Sequence, residues 1–174
     1  YKEVNKRTLM KYYTGIGSRE TPKGILTIMT TLATKLEGKG YILRSGGADG
    51  ADTAFEIGVT SPQMKNIYLP WKGFNNNPSP LHQIPPQCFE LAEAIHPAWG
   101  RCSHGVRKLH ARNTQQILGT YLDTPSKFVV CWTPDGLPVG GTATAINLAI
   151  ANDIEVINLG SPKGLARILQ FITT

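Results

Sequence analysis

The feature that most constrains this chain is a regular alternation of short apolar runs, rich in β-branched and aromatic residues, with longer segments of helical period. Met10 to Tyr13 reads as a strand running into Thr14-Gly15-Ile16-Gly17-Ser18-Arg19. Thr21-Pro22 then marks a helix start, with Thr as cap and Pro in the first turn. Ile25, Ile28, Met29, Leu32 and Leu36 share one face of that helix, and Gly38 and Gly40 close it. Tyr41 to Arg44 is a second strand, followed by Ser45-Gly46-Gly47-Ala48-Asp49-Gly50-Ala51-Asp52 and a short helix through Glu56. A third strand, Asn66 to Leu69, ends at Pro70, and helices follow over Gln87 to Ile95 and Gly105 to Leu118. Lys127 to Trp132 is a fourth strand, Thr142 to Ala151 a helix, Glu155 to Asn158 a fifth strand and Pro162 to Ile172 a closing helix.

Consecutive parallel strands need crossover connections, usually helices, so this order predicts an α/β fold: a doubly wound, mainly parallel, Rossmann-like sheet with helices on both faces. Ligands of such sheets bind beyond the carboxyl ends of the strands, where strand order reverses. No repeat or linker divides the 174 residues, and residues 1–174 read as one domain with a long loop at about 70–86, rich in proline and containing Asn75-Asn76-Asn77. No run of eighteen apolar residues occurs, so no membrane span is expected; the charged residues at Tyr1 to Arg7 precede no apolar run, so neither is a signal peptide. Three cysteines, Cys88, Cys102 and Cys131, form no paired framework and fit a reducing, cytoplasmic setting. Cys131, inside Phe128-Val129-Val130-Cys131-Trp132, reads as a small buried hydrophobe. A net charge of +6 suits a polyanionic partner such as a nucleotide or nucleic acid.

Three glycine-containing turns follow strand ends: Gly15 to Arg19, Ser45 to Asp52, and Gly140-Gly141-Thr142. Glycine lets backbone approach a ligand, and the helix that follows turns its free N–H groups and positive end toward whatever lies there. Together the turns point to an anion site; the alternative is that they are tight turns only. Arg19 follows the first turn, and Arg112 lies on a helix before the fourth strand. A guanidinium suits bidentate phosphate binding, against the alternative of two solvated helix-face charges. Asp49 and Asp52 are candidates for helix capping or for ribose or catalytic work, and Glu56 reads as a surface residue. Cys88, His96, Cys102 and His104 lack the close paired spacing of structural zinc sites, so no metal and no cofactor are expected. His104 and His110 are possible bases or ligand contacts, or merely structural. Trp71, Phe74 and Trp99 either stack a base or, the favoured reading, pack the proline-rich segment against the body.

Taken in order, these segments resemble the DNA processing protein A (DprA) family of the SLOG superfamily. GIGSRETP is similar to its GSR turn, LRSGGADGADTAFEIG to its SG-x-A-x-G-x-D segment, and ARNTQQILG to its RN-x-x-I-x-G element. FVVCW and GGTATAINLAIANDIEVINLG resemble the later strand, helix and strand. The set spans roughly residues 10–160; the segment from Pro70 to Gly105 has no counterpart in it, nor does the sequence carry the family's N-terminal helical or C-terminal winged-helix modules. The resemblance implies binding of single-stranded DNA or a nucleotide without bond breaking, and a possible homodimer. It implies ligand contacts at Gly17, Ser18, Arg19, Gly46, Gly47, Gly50, Arg112, Asn113, Gly140, Gly141 and Thr142, to which the first two glycine turns add Gly15 and Ser45 as candidates. The compact form resembles small DprA-like proteins of phages.

A second SLOG branch, the Lonely Guy (LOG) phosphoribohydrolases, supplies an alternative: N-glycosidic cleavage of nucleoside 5′-monophosphates. LHAR at Leu109 to Arg112 is similar to their M-H-x-R element, and Gly140 to Thr142 to part of their PGG-x-GT-x-EE loop. Here, however, Ala143-Thr144-Ala145 stands where that loop carries its glutamates. Cleavage needs a carboxylate, for which only Asp49, Asp52 and Glu56 offer themselves. A binder or sponge of a small signalling nucleotide would use the same pocket, leaving polymer and monomer both open as ligand.

Overall fold

The computed structural model describes residues 10–174. Five strands, β1 (Lys11–Gly15), β2 (Tyr41–Ser45), β3 (Lys65–Ile67), β4 (Phe128–Cys131) and β5 (Glu155–Asn158), form one sheet. Its order is β3-β2-β1-β4-β5 and every neighbouring pair is parallel. The chain winds from β1 outward to β3, then crosses back to start β4 on the other side of β1. The reversal therefore lies between β1 and β4, whose register places Thr14 beside Val129 and Gly15 beside Val130. That junction is where a doubly wound sheet opens a crevice.

Six helices cover the two faces: α1 (Lys23–Gly38), α2 (Ala51–Ile57), α3 (Pro86–Ile95), α4 (His104–Leu118), α5 (Ala143–Ala151) and α6 (Pro162–Thr173). Strand alternation sorts the core. Tyr13, Leu43, Ile67, Val130 and Ile157 pack under α1, α2 and α6 with Met29, Leu32, Leu36, Phe55 and Ile168. Val129 and Cys131, pointing the other way, pack under α4 and α5 with Ile117, Ala145, Ile146 and Ala149. Cys131 is fully buried, and that burial pushes its thiol up to about 12. Helix α3 lies against α4 through Cys88, Ala92 and Ala111.

Local details depart from the sequence reading at two helix starts. Thr21 does not cap α1: Pro22 occupies the cap position, and the Thr21 hydroxyl donates back to the Ser18 carbonyl at 2.6 Å. Neither Asp49 nor Asp52 caps α2, where Gly50 takes the cap position at φ +83°. Asp49 instead accepts from the Asn75 amide at 2.9 Å, and Asp52 accepts from the Ala48 N–H at 3.2 Å, one turn before its own position. The long segment between β3 and α3 folds back over the second glycine turn. Asn75 also donates to the Gly47 carbonyl and Asn77 to Glu56. Phe74 packs against the first core and its ring lies 5.6 Å from the Arg112 guanidinium, while Trp71 meets Phe74 edge-on. Trp99 packs on the α3–α4 cluster and carries Arg107 over its ring. These aromatics hold segments to the body.

Candidate functional site

Beyond the carboxyl ends of β1 and β4 lies a cleft of about 560 Å³. One wall is the turn after β1, with Gly17, Ser18, Arg19 and Glu20; the opposite wall is the Gly140-Gly141-Thr142 turn that opens α5. Helix α4 supplies a third side through Val106, Leu109, His110, Arg112, Asn113 and Gln116, a set that recurs with helical period. Ala48 and Asp52, from the turn after β2, close the remaining edge.

Arg19 and Arg112, 93 positions apart, thus border one cleft, but they are held differently. Arg19 is exposed at the rim. Arg112 is only 4% exposed; its Nη1 donates to the carbonyls of Gly46 at 2.5 Å and Tyr68 at 3.0 Å, and its Nε donates to the Asn113 side chain at 2.9 Å. It is a buried group and not a solvated helix-face charge. Asn113 in turn donates to the Gly141 carbonyl at 3.4 Å, tying α4 to the third glycine turn.

The electrostatics follow from burial. Desolvation lowers the Arg112 guanidinium to about 10; the Asp52 carboxylate opposes this and the Arg19 charge adds to it. Desolvation likewise raises Asp52 to about 6, against the pull of Arg112 and the Ala48 N–H. Both members of this pair are pushed toward neutrality because the loss of water outweighs their attraction. His110 is pushed down by burial, then by His96 and Arg112, so its imidazole favours the neutral form. Its Nδ1 lies 3.1 Å from the Thr144 hydroxyl.

The three glycine turns differ in kind. A Cβ at Gly15 would sit inside the Phe55 ring at 2.6 Å, and one at Gly17 would lie 2.7 Å from Ala51, so both serve close packing. Gly46 leaves no room for a Cβ among Gln116, Arg112 and Asp52, and Gly50 none beside the backbone of Ser18 and Arg19. At Gly140 and Gly141 a Cβ would meet nothing within 4 Å. Thr142 gives α5 no side-chain cap; the Gly140-Gly141-Thr142 turn winds directly into the helix, and the Ala143 N–H bonds to the Gly140 carbonyl.

Of the residues singled out from sequence, Gly17, Ser18, Arg19, Asp52, His110, Arg112, Asn113, Gly140, Gly141 and Thr142 line this cleft. Gly15, Ser45, Gly46, Gly47 and Gly50 do not line it; the Ser45 hydroxyl donates to the Gly15 carbonyl at 2.6 Å, joining β2 to β1. Asp49 and Glu56 also lie elsewhere, Asp49 on Asn75 and Glu56 paired with Lys65 at 3.0 Å. Glu20 and Gln116 line the cleft without having been singled out. Gln116 follows Arg112 by four residues and so shares its helix face, a spacing that does carry the signal. Of the possible metal ligands, Cys88 is buried between α3 and α4 and His104 is exposed at the start of α4; His96 and Cys102 gather instead around His110.

No family profile and no curated protein sequence matches this chain. Among solved structures it is similar to DNA processing protein A from Helicobacter pylori, a single-stranded DNA binding protein, with a TM-score of 0.52 and 18% identity. The match covers 92% of this chain and 72% of that one. The chain therefore has a DprA-like, Rossmann-like fold. No helix among the described residues is long and apolar enough to cross a membrane.

Proposed function

We propose that this protein binds single-stranded DNA, holding the sugar-phosphate backbone of one or a few nucleotides in the cleft between β1 and β4. The observation that carries this reading is the convergence, at the point where strand order reverses, of Arg19, Arg112 and the open Gly140-Gly141-Thr142 turn. Phosphate oxygens are the ligands such a set recognises: the exposed Arg19 guanidinium can give paired charged hydrogen bonds, Arg112 adds positive charge from a fixed position, and backbone N–H groups of the glycine turn add uncharged bonds. Arg19, exposed, reaches the incoming phosphate; Gly140 and Gly141 leave the space it occupies. Val106, Leu109 and Val139 supply apolar wall for a sugar or base. The likeness in fold to a single-stranded DNA binding protein and the +6 net charge support the same ligand.

A mononucleotide would engage the same phosphate contacts, so the test must separate the two. A fluorescently labelled oligodeoxythymidylate is titrated with the full chain by anisotropy, then challenged with unlabelled oligonucleotide, duplex of matched length and nucleoside monophosphates. The proposal predicts displacement by the unlabelled single strand well before duplex or monomer. Displacement by a monophosphate at concentrations where the single strand has no effect would assign the cleft to a small nucleotide instead.

One observation favours the glycosidase alternative as a second reading: Asp52, in the cleft wall, is raised to about 6, within reach of general acid–base work at neutral pH. Its Oδ2 already accepts the Ala48 N–H, which holds the carboxylate against the turn. We therefore assign Asp52 to positioning that turn.

A further inference from the structure

His96 ends α3, Cys102 follows the short turn Trp99–Arg101, and His110 lies in the middle of α4. The fold brings one donor atom from each within 4.8 Å of the others, the one such cluster of three among the described residues. We propose that these three side chains form a zinc-binding site at the edge of the cleft.

The donors are close. The Cys102 sulfur lies 3.9 Å from His96 Nε2 and 4.0 Å from Nδ1, and the two imidazole centroids are 4.4 Å apart. In a tetrahedral zinc site, bond lengths of about 2.0–2.1 Å to nitrogen and about 2.3 Å to sulfur hold two nitrogens and a sulfur roughly 3.3–3.6 Å apart. Small side-chain rotations close the difference. Two imidazoles and one thiolate are a donor set suited to zinc, which is borderline soft and has no geometric preference from its d-electrons.

His110 is already fixed for the task. Its Nδ1 faces the Thr144 hydroxyl at 3.1 Å, which leaves Nε2 as the ligand atom, the division of labour that outer partners impose on metal-binding histidines. Thr144 is itself buried in α5, so the ring is anchored to a packed element. The other two ligands give up weaker contacts. The Cys102 thiol faces the Ala98 carbonyl at 3.5 Å, and on binding its proton leaves to solvent as sulfur becomes a thiolate. His96 Nδ1 accepts the Ala98 N–H at 3.0 Å, and coordination takes the ring out of that bond. Three protein ligands leave a fourth position for water, and because His110 also lines the cleft, the ion sits in its wall. Local spacing hid the site: six and eight residues separate neighbours in the sequence, and only the α3–α4 packing brings them together.

This inference stands apart from the nucleic-acid reading, and its test needs no DNA. The full chain is treated with chelator, desalted under reducing conditions and titrated with Zn²⁺ alone by calorimetry, then with Co²⁺ as a spectroscopic probe. The expected result is one ion per chain, with a thiolate-to-cobalt charge-transfer band and visible d–d bands of four-coordinate intensity, both bleached by added Zn²⁺. Cys102→Ser should remove the charge-transfer band, and it and His110→Ala should each weaken Zn²⁺ binding by more than about 100-fold, the upper end for changes in the outer shell alone. His104→Ala should leave affinity unchanged. Circular dichroism of each variant separates loss of the site from loss of the fold; where His110→Ala unfolds, His96→Gln takes its place. Absence of stoichiometric binding, or a charge-transfer band that survives in folded Cys102→Ser, overturns the proposal.

Discussion

The Nη1 of Arg112 donates to the carbonyl of Gly46, 66 positions earlier, at 2.5 Å. The same nitrogen reaches the Tyr68 carbonyl, so a side chain of α4 joins the residues that follow β2 and β3. Gly46 admits this because it has no Cβ, which would lie 2.7 Å from that nitrogen and 2.1 Å from the Gln116 amide. The guanidinium is thus first a brace for the rim of the sheet, and its contribution to a ligand comes from a fixed position.

Arg112→Ala should therefore unfold more easily by about 2–4 kcal/mol, since it leaves two buried carbonyls without a donor and Asp52 without its cation. Arg19→Ala, at an exposed position, should change stability by no more than about 0.5 kcal/mol. Urea unfolding of both variants checks this. Equal stabilities would mean that Arg112 is not a brace.

Acid should stabilise the wild type relative to Asp52→Asn. Burial raises Asp52 from 3.8 to about 6, so between those values the folded state holds a proton that the unfolded chain has lost. Stability from this group is complete below about pH 4, falls as pH rises through 6 and stays lower above it. The size is about 3 kcal/mol over that interval. Urea midpoints from pH 4 to 7.5 should show the wild type losing ground to the Asn variant across that window. Parallel profiles would mean that Asp52 titrates as an ordinary carboxylate.

The fold was legible because its signal is local and redundant. Five strands and six helices each carry their own period, and turns such as Gly38 to Gly40 punctuate them. The site was legible in part. Arg19, Asn113 and the Gly140–Thr142 turn face the cleft because they follow strand ends or share a helix face with it. Gly15, Gly46 and Gly50 are glycine for packing reasons, and sequence does not separate a glycine that admits a ligand from one that admits Phe55, Arg112 or the Arg19 backbone. Asp49 and Glu56 were set aside from the cleft by Asn75 and Asn77, partners in a segment with no periodic pattern. Glu20 is one exposed acid beside the Arg19 it follows, and nothing in its spacing marks it as facing the cleft.

Incubation with ribo- and deoxyribonucleoside monophosphates should release no free base. Ala143, Thr144 and Ala145 occupy the start of α5, and among the described residues only two acidic ones, Asp52 and Glu20, border the cleft. A general acid or base must come within about 2.6–3.2 Å of its target atom, directly or through one water. Chromatography of the reaction mixture detects free base; catalytic release that Asp52→Asn abolishes, with binding retained, would establish the glycosidase reading.

The most direct test of the central proposal is the affinity of an oligodeoxythymidylate for wild type and Arg19→Ala across a salt series. Because Arg19 is exposed and the variant should fold normally, its loss reports on the ligand alone. The predicted result is affinity reduced roughly 10- to 150-fold, the equivalent of about 1.5–3 kcal/mol for lost charged hydrogen bonds. The slope of log affinity against log salt should also become shallower by about 0.7, the value of one phosphate contact to a single strand. Wild-type binding that Arg19→Ala leaves unchanged in both affinity and salt slope would place the DNA elsewhere on the protein and contradict the assignment of this cleft.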